Sequence, residues 1–164
     1  MTRTGMHRRW ARAIALSVIA CAMAAAPVRS RAEGMAVIVH PSTPVDNLSF
    51  AEMRRVFLGD RQFWNAGMPV LLIVRAPVAL ERQVVLNKIY RMTESQFTQY
   101  WIARIFRAET VSTPKVVYSN TTINELVAAI PGAISLVRVE DMTPGVKVVR
   151  IDGALPGDPT YPLR

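Results

Sequence analysis

The sequence predicts an α/β protein: a single-domain, three-layer α/β/α sandwich around a mixed, mainly parallel sheet. Three observations predict this class. Short apolar or β-branched runs alternate with helical segments along the chain. Two helical segments begin with capping boxes, Ser49 with Glu52 and Thr93 with Gln96. Several of the apolar runs are uninterrupted by polar residues, as in strands that are buried on both faces.

Residues 1–32 have the pattern of a targeting segment, so we do not expect them to be part of the folded domain. Four arginines precede the apolar run Ala13–Ala26, which has the length of a signal-peptide core and is too short to span a membrane comfortably. Small residues at Ser30 and Ala32 favour cleavage before Glu33, although cleavage nearer Ala24 is also open. We therefore expect a periplasmic protein of a bacterial cell, with its domain at residues 33–153 and a tail at 154–164.

The chain has a single cysteine, Cys21, inside the targeting segment. Val18-Ile19-Ala20 before it loosely matches a lipoprotein cleavage box, which would leave a lipid-anchored Cys21. The alternative is a small apolar residue of the signal-peptide core. With cleavage before Glu33 the remaining chain could form no disulfide, even in an oxidising compartment.

The strongly basic composition belongs largely to the targeting segment. Six of the 20 lysines and arginines lie before Glu33, and none of the 12 acidic residues does. The remaining 132 residues therefore carry 14 basic and 12 acidic side chains, a net charge of +2. Nucleic-acid binding needs a basic patch on the folded domain, so this near balance argues against it.

The first half of the predicted domain is a strand, a helix and a second strand. Ala36–Val39 is short and β-branched, as a strand requires. The helix that Ser49 caps places apolar side chains at helical spacing and ends at Gly59, a suitable C-cap. Asp60–Gly67 is then an aromatic turn, and Pro69–Val74 is a continuously apolar strand.

The second half repeats this alternation. Its predicted elements are, in chain order, a helix over Leu80–Tyr90, a helix from Thr93 through Phe106, a strand at Val116–Tyr118, a helix capped by Asn120 or Thr121 and running through Ile130, and strands at Ala133–Val137 and Val146–Ile151. The tail after Gly153 is rich in proline and glycine, so we expect it to lie over the surface.

The order of the motifs resembles that of a known family. A helix ends in Val56-Phe57-Leu58-Gly59, a turn carries Trp64, a strand runs into Arg75, and a later strand begins with Pro131-Gly132-Ala133-Ile134. In this order the chain is similar to the phosphate-binding periplasmic proteins of ABC transporters, in the type II solute-binding superfamily. The likeness covers roughly residues 37–137. It implies the fold of one lobe of such a protein, although the family's members clamp their ligand between two lobes.

Two positions depart from the family's pattern. The family places an Asp-Gly-Ser-Gly-Thr run after the arginine, whose N–H groups and hydroxyls cradle phosphate. Here the counterpart is Ala76-Pro77-Val78-Ala79-Leu80-Glu81, which has no glycine and no hydroxyl, and Pro77 lacks an N–H. Glu81 would also repel an anion at the start of the helix. Ser135 replaces a glycine of the later strand.

Five residues are candidates for ligand binding. In α/β proteins ligands gather outside the carboxyl ends of strands, which favours the loop Ala76–Gln83 and its Ala79. Arg75 and Arg82 flank this loop and could hold a carboxylate or phosphate in bidentate fashion, or they could be a surface strand end and a solvated helix residue. Ser42 and Thr43 follow the first strand and could donate hydroxyls at the same sheet edge, or simply form a turn.

Phe63 and Trp64 are candidates for a cleft or a partner surface, with core packing beneath a loop as the alternative. Catalysis has little support. His40, Ser42 and Asp46 are close in sequence but lack any motif that fixes their geometry. The domain's single histidine and scattered carboxylates form no metal cluster. We therefore predict no catalytic residues, no metal and no cofactor.

Two function classes remain. The first is a periplasmic solute-binding protein related to the substrate-binding components of phosphate ABC transporters, with the phosphate-cradling loop altered. It would bind a small anionic solute and work with transporter membrane subunits or a periplasmic sensor. The second is a single-lobe interaction or sensor-accessory module, which would dock a membrane or periplasmic partner, or form a homo-oligomer, rather than bind a solute.

Overall fold

The computed structural model of the chain describes residues 34–110 and 113–164. The expected signal peptide, its cleavage site and Cys21 lie outside these residues. The strands of the described part are β1 (Met35–Val39), β2 (Asn47–Leu48), β3 (Leu71–Arg75), β4 (Lys115–Val117), β5 (Ala133–Arg138), β6 (Lys147–Val148) and β7 (Arg150–Ile151). Five of them form one sheet in the order β4-β3-β5-β1-β6, and β2 pairs with β7. No helix of this part is long and apolar enough to cross a membrane.

The sheet is mixed, as predicted. β3 lies between β4 and β5 and runs parallel to both, so the carboxyl ends of these three strands share one edge. β1 runs antiparallel to β5, with Met35 opposite Arg138 and Val39 opposite Ile134. The carboxyl end of β1 therefore lies at the opposite end of the strands from the carboxyl end of β3.

Helices cover both faces of the sheet. They are α1 (Phe50–Phe57), α2 (Leu80–Val84, continued by a π-helical segment at Val85–Tyr90), α3 (Glu94–Phe106) and α4 (Asn120–Ala129). Alternate residues of a strand face the two helix layers on opposite sides of the sheet. Val37 and Val74 pack with the apolar sides of α1 to α3, whereas Ile38 and Ile73 pack with Ile123 of α4. The predicted three-layer α/β/α arrangement is thus confirmed.

The helix boundaries follow the capping signals in the sequence. Ser49 and Thr93 each accept a hydrogen bond from the third helical N–H, and Glu52 and Gln96 complete both capping boxes. Gly59 adopts a positive φ of 75° directly after α1. α4 is capped by Ser119 rather than by Asn120 or Thr121, because the Ser119 side chain accepts from the Thr122 N–H.

Two expectations for the C-terminal part are wrong. The run Val146–Ile151 is not one strand, because Lys147–Val148 pairs with β1 and Arg150–Ile151 pairs with β2. The tail after Gly153 does not simply lie over the surface. Tyr161 and Leu163 are buried in the main core cluster, and the Leu163 carbonyl accepts a hydrogen bond from the Met35 N–H at 3.2 Å. These apolar side chains fill the core beside the start of β1.

Candidate functional site

The candidate site lies at the edge of the sheet where β3, β4 and β5 end. Arg75 is the last residue of β3 and Arg138 is the last residue of β5. Asn120 begins α4 three residues after β4 ends. Parallel pairing brings these three polar side chains to one edge. The structure therefore places a cluster of polar side chains where ligands gather in proteins of this class.

Glu81 occupies the centre of this edge. Its buried carboxylate lies between two guanidinium groups, 3.6 Å from Arg75 Nε and 3.5 Å from Arg138 Nε. The Asn120 Nδ2 donates a hydrogen bond of 2.6 Å to the same carboxylate. Glu81 is held here because it lies in the first turn of α2, directly after the loop that follows β3. A carboxylate of the chain itself thus sits among the donors of the site.

A second carboxylate completes the network. Asp141 accepts a hydrogen bond from Asn120 Nδ2 at 2.7 Å and one from Arg138 Nε at 2.8 Å. The hydrogen bond to Asp141 raises the pKa of Arg138, with Glu140 and Glu81 adding to the effect. Asn124, which is buried, donates to the backbone carbonyls of Asn120 and Asp141 and so fixes the network to α4.

The charge balance of the cluster is unfavourable for an anion. Two guanidinium groups, Arg75 and Arg138, meet the three carboxylates of Glu81, Glu140 and Asp141, so the formal charge is −1. An entering phosphate would have to displace Glu81 from its partners or share them with it. Arg75 still has buried Nε and Nη1 atoms without a hydrogen-bond acceptor among the described residues.

The loop between β3 and α2 has a strained backbone. Val78 has a φ of +70°, which is a rare conformation for a β-branched residue. Its side chain is 92% exposed, and the apolar side chains of Leu80 and Tyr118 are exposed at the same edge. Ala79 precedes α2 without a side-chain cap. The loop therefore presents apolar side chains to solvent where the resembling family presents glycines and hydroxyls.

Ser42 and Thr43 do not join this edge. Because β1 is antiparallel to β5, the turn after β1 lies at the other end of the sheet, and the His40 N–H donates to the Ala133 carbonyl at the start of β5. The expectation that both residues share an edge with Arg75 is wrong for this reason. Ser42 is exposed and its hydroxyl contacts the half-buried His40 ring, and the side chain of Thr43 is buried.

Arg82 is separated from Arg75 as well. Its side chain is only 3% exposed and binds Glu94 through two hydrogen bonds, of 3.0 and 2.5 Å. The guanidinium also stacks on Phe97, 3.9 Å from the ring centroid. Neighbouring positions on a helix point in different directions, so Glu81 faces Arg75 while Arg82 faces α3. The solvated alternative for Arg82 is excluded by its burial.

The two aromatic candidates have different environments. Trp64 is 3% exposed and its Nε1 donates to the Gly132 carbonyl at 2.9 Å, so it is a core residue and not part of a surface. Phe63 is 59% exposed and lines a surface depression with Val70 and Leu72. Only Phe63 therefore remains a candidate for partner contact.

The residues weighed for catalysis form no relay. His40 Nδ1 contacts Ser42 Oγ at 2.7 Å, but the Asp46 carboxylate pairs with Lys147 at 2.9 Å instead of with the histidine. Within residues 34–110 and 113–164, no group of three metal-ligating side chains is close enough to hold a metal ion.

Three members of the network were not predicted from the sequence: Asn120, Arg138 and Asp141. The signal that could have found them is the rule on the carboxyl ends of strands, which was applied to the first strand and β3 but not to β4 and β5. Arg138 ends β5 and Asn120 follows β4, so applying the carboxyl-end rule to all three parallel strands would have selected both. Asp141 follows within one turn of Arg138.

The fold and the site together define a class. The chain is an α/β protein in which helices cover both faces of a mixed sheet and polar residues gather where its parallel strands end, the place where ligands bind in such proteins.

Solved structures of phosphate receptors share this fold, so the resemblance in the order of motifs is confirmed at the level of the fold. The chain is similar to an ABC-type phosphate transport receptor from Vibrio cholerae, with a TM-score of 0.62 and 18% identity over 76% of this chain and 48% of the receptor. A putative phosphate ABC transporter substrate-binding protein with bound phosphate from Clostridium perfringens gives 0.61 and 17%, over 76% and 47%. PstS from Borrelia burgdorferi gives 0.58 and 14%, over 76% and 49%.

The chain therefore spans about half the length of the receptors it matches. No protein-family model matches the sequence, and no curated protein matches it. The similarity thus concerns the fold of one lobe, and the site residues have to be interpreted from their own chemistry.

Proposed function

We propose that this protein is a periplasmic relative of the substrate-binding components of phosphate ABC transporters that has lost phosphate binding and acts as a protein-interaction module. One observation carries the proposal: Glu81 occupies the centre of the donor cluster and pairs with both Arg75 and Arg138. An internal carboxylate supplies the negative charge that a bound anion would otherwise bring.

The surface of the same edge supports the interaction role. Val78 and Tyr118 are 92% and 84% exposed, and Leu80 is also exposed. Exposed large apolar side chains at one edge are typical of protein contact sites. Strain at Val78 persists only where the surrounding structure or a function maintains it. The partner would be a transporter membrane subunit, a periplasmic sensor or a second copy of the chain.

A second candidate is binding of a different small acid. It is favoured by the Arg75 Nε and Nη1 atoms, which are buried and lack acceptors among the described residues. A carboxylate could complete these hydrogen bonds, but it would meet the negative charge of Glu81 at the same place. For this reason the interaction role is the better supported of the two. We propose no catalytic role.

A phosphate titration of thermal stability tests the proposal. A ligand at 100 times its dissociation constant stabilises the native state by about 2.7 kcal/mol, which raises Tm by several degrees. We expect no rise with millimolar phosphate. A clear rise that Arg75→Ala abolishes would show that the protein is a phosphate receptor. A panel of small carboxylates in the same assay tests the second candidate.

A further inference from the structure

We infer that the groove between α3 and the outer strand β4 is a docking site for an extended, uncharged peptide segment of a partner protein, and that Arg82 receives a carbonyl-bearing side chain of that segment. The inference rests on the proposed interaction role and names its surface and partner class. The groove has a volume of about 240 Å³, and its wall residues include Phe97 and Ile102 of α3 and Val116 of β4.

β4 is the outermost strand on its side of the sheet, so its outer side is a free lateral edge in the described part of the chain. Within the described residues β4 pairs with β3 alone. The Val117 carbonyl accepts from the Ala76 N–H at 2.8 Å, so Val117 directs its polar backbone groups towards β3. Successive residues of a strand direct these groups to opposite sides, so the N–H and C=O of Val116 face outward. Such an edge is a template for an added strand.

The groove also has a buried hydrogen-bond donor. Arg82 lines it and is 3% exposed, and its buried Nη1 has no hydrogen-bond acceptor among the described residues. A buried donor without an acceptor is costly, so a bound oxygen would relieve that cost. The Nε and Nη2 atoms already bind Glu94. The two N–H groups of Nη1 are therefore available to a ligand.

The charges at the groove restrict the charge of its occupant. Glu94 neutralises Arg82 and itself lines the groove. A carboxylate entering the groove would meet Glu94, and an ammonium group would meet the Arg82 guanidinium. A neutral carbonyl oxygen avoids both repulsions and can accept from Nη1. The apolar walls suit a methylene stem, so a glutamine side chain has the required chemistry.

The exposed apolar residues at the carboxyl ends of the strands directly adjoin the groove along the chain. Pro77 lines the groove and precedes the exposed Val78, and Tyr118 directly follows β4. A strand added to β4 would therefore run towards the same apolar edge that supports the proposed interaction role. Main-chain bonds to β4 would supply affinity, and the groove would supply side-chain specificity.

Binding of a defined peptide to the purified protein tests this inference by NMR titration. The probe is a capped peptide, Thr-Val-Thr-Gln-Thr-Val-Thr, which places both valines and the glutamine on one face when extended. We expect saturable binding with shift changes centred on Val116 and Ile102. Replacing the glutamine by leucine should weaken binding by about tenfold, as loss of one hydrogen bond to a charged group predicts. Replacing it by glutamate should weaken binding as well, because Glu94 would repel the carboxylate.

Protein variants test whether the peptide binds in this groove or at another exposed apolar position. Ile102→Glu should abolish binding, whereas the matched change Phe106→Glu, at an exposed position of the same helix outside the groove, should leave it intact. Val116→Pro removes the outward N–H and should also abolish binding if its melting curve remains cooperative. Absence of binding at millimolar peptide, equal binding of the glutamate peptide, or an equal effect of Phe106→Glu would each overturn the inference. Phosphate stabilisation would instead contradict the proposed function.

Discussion

Glu81 and Ser135 show how single residues adapt this fold. Glu81 is buried between two arginines at the position where the resembling family presents hydroxyls and N–H groups. Ser135, which replaces a glycine of that family's pattern, is fully buried and donates a hydrogen bond of 2.8 Å to the Ile73 carbonyl of the adjacent strand. Both side chains satisfy polar groups inside the domain. In this structure both side chains make contacts within the domain.

The Ser135 hydroxyl should contribute measurably to stability. Ser135→Ala leaves the serine's hydrogen bond to Ile73 unmade, so we expect the free energy of unfolding to fall by about 1 kcal/mol in urea denaturation. Ser42→Ala is the matched control, because the Ser42 hydroxyl is exposed and its contact with His40 is local; its effect should stay within about 0.5 kcal/mol. Equal effects of the two changes would refute the role of the buried hydrogen bond.

At the scale of elements, local signals were predicted well and pairing directions were not. The capping boxes at Ser49 and Thr93 locate the starts of α1 and α3, because each box is contained within four residues. The direction of β1 depends on β5, about 95 residues later, and no local pattern encodes it. Ser42 and Thr43 were therefore assigned to the wrong edge.

The same reason explains the incomplete prediction of the site. Arg75 and the altered loop were found because one stretch of sequence contains them. Arg138 and Asn120 join the site only through the parallel order β4-β3-β5. Burial of Tyr161 and Leu163 is likewise a tertiary effect, since a proline- and glycine-rich tail carries no periodic signal.

The turn before β5 should be the most sensitive glycine position of the fold. Gly132 has a φ of +84°, and a Cβ there would lie 2.1 Å from the Pro69 carbonyl oxygen. Gly132→Ala should therefore lower the free energy of unfolding by roughly 3 kcal/mol or more, through left-handed strain and steric overlap.

Gly153 provides the matched control for Gly132. Its φ is +79°, but no atom lies within 4 Å of its added Cβ. Gly153→Ala should cost only the strain, about 1 kcal/mol. Chemical denaturation of both variants gives the comparison. Similar losses at the two sites would mean that the contact with Pro69 contributes little.

At the scale of the whole molecule, the two ends of the described domain meet. The Met35 N–H at the start of β1 donates to Leu163 near the end of the tail, and Tyr161 and Leu163 lie in the core cluster. The tail is therefore an integral part of the domain. Its removal would open the core beside β1, since these side chains are fully enclosed.

Docking of the tail predicts a specific pH dependence. Burial raises the pKa of Tyr161 to about 12. The folded state therefore holds the phenol proton more tightly than the unfolded chain does, where the tyrosine pKa is about 10. The stabilisation is complete below pH 10 and is lost as pH rises towards 12. Tyr161→Phe should therefore lose less stability than the parent protein between these values in urea denaturation. Parallel pH profiles would contradict the burial of the phenol.

We claim that Glu81 takes the place of a bound anion, and phosphate-dependent melting of three proteins tests this. Glu81→Ser removes the buried carboxylate and adds a hydroxyl beside Arg75 and Arg138. Glu140→Ser makes the same charge change at a more exposed partner of Arg138. We expect phosphate to raise the Tm of Glu81→Ser alone. A rise in the parent protein, or equal rises in both variants, would contradict the claim.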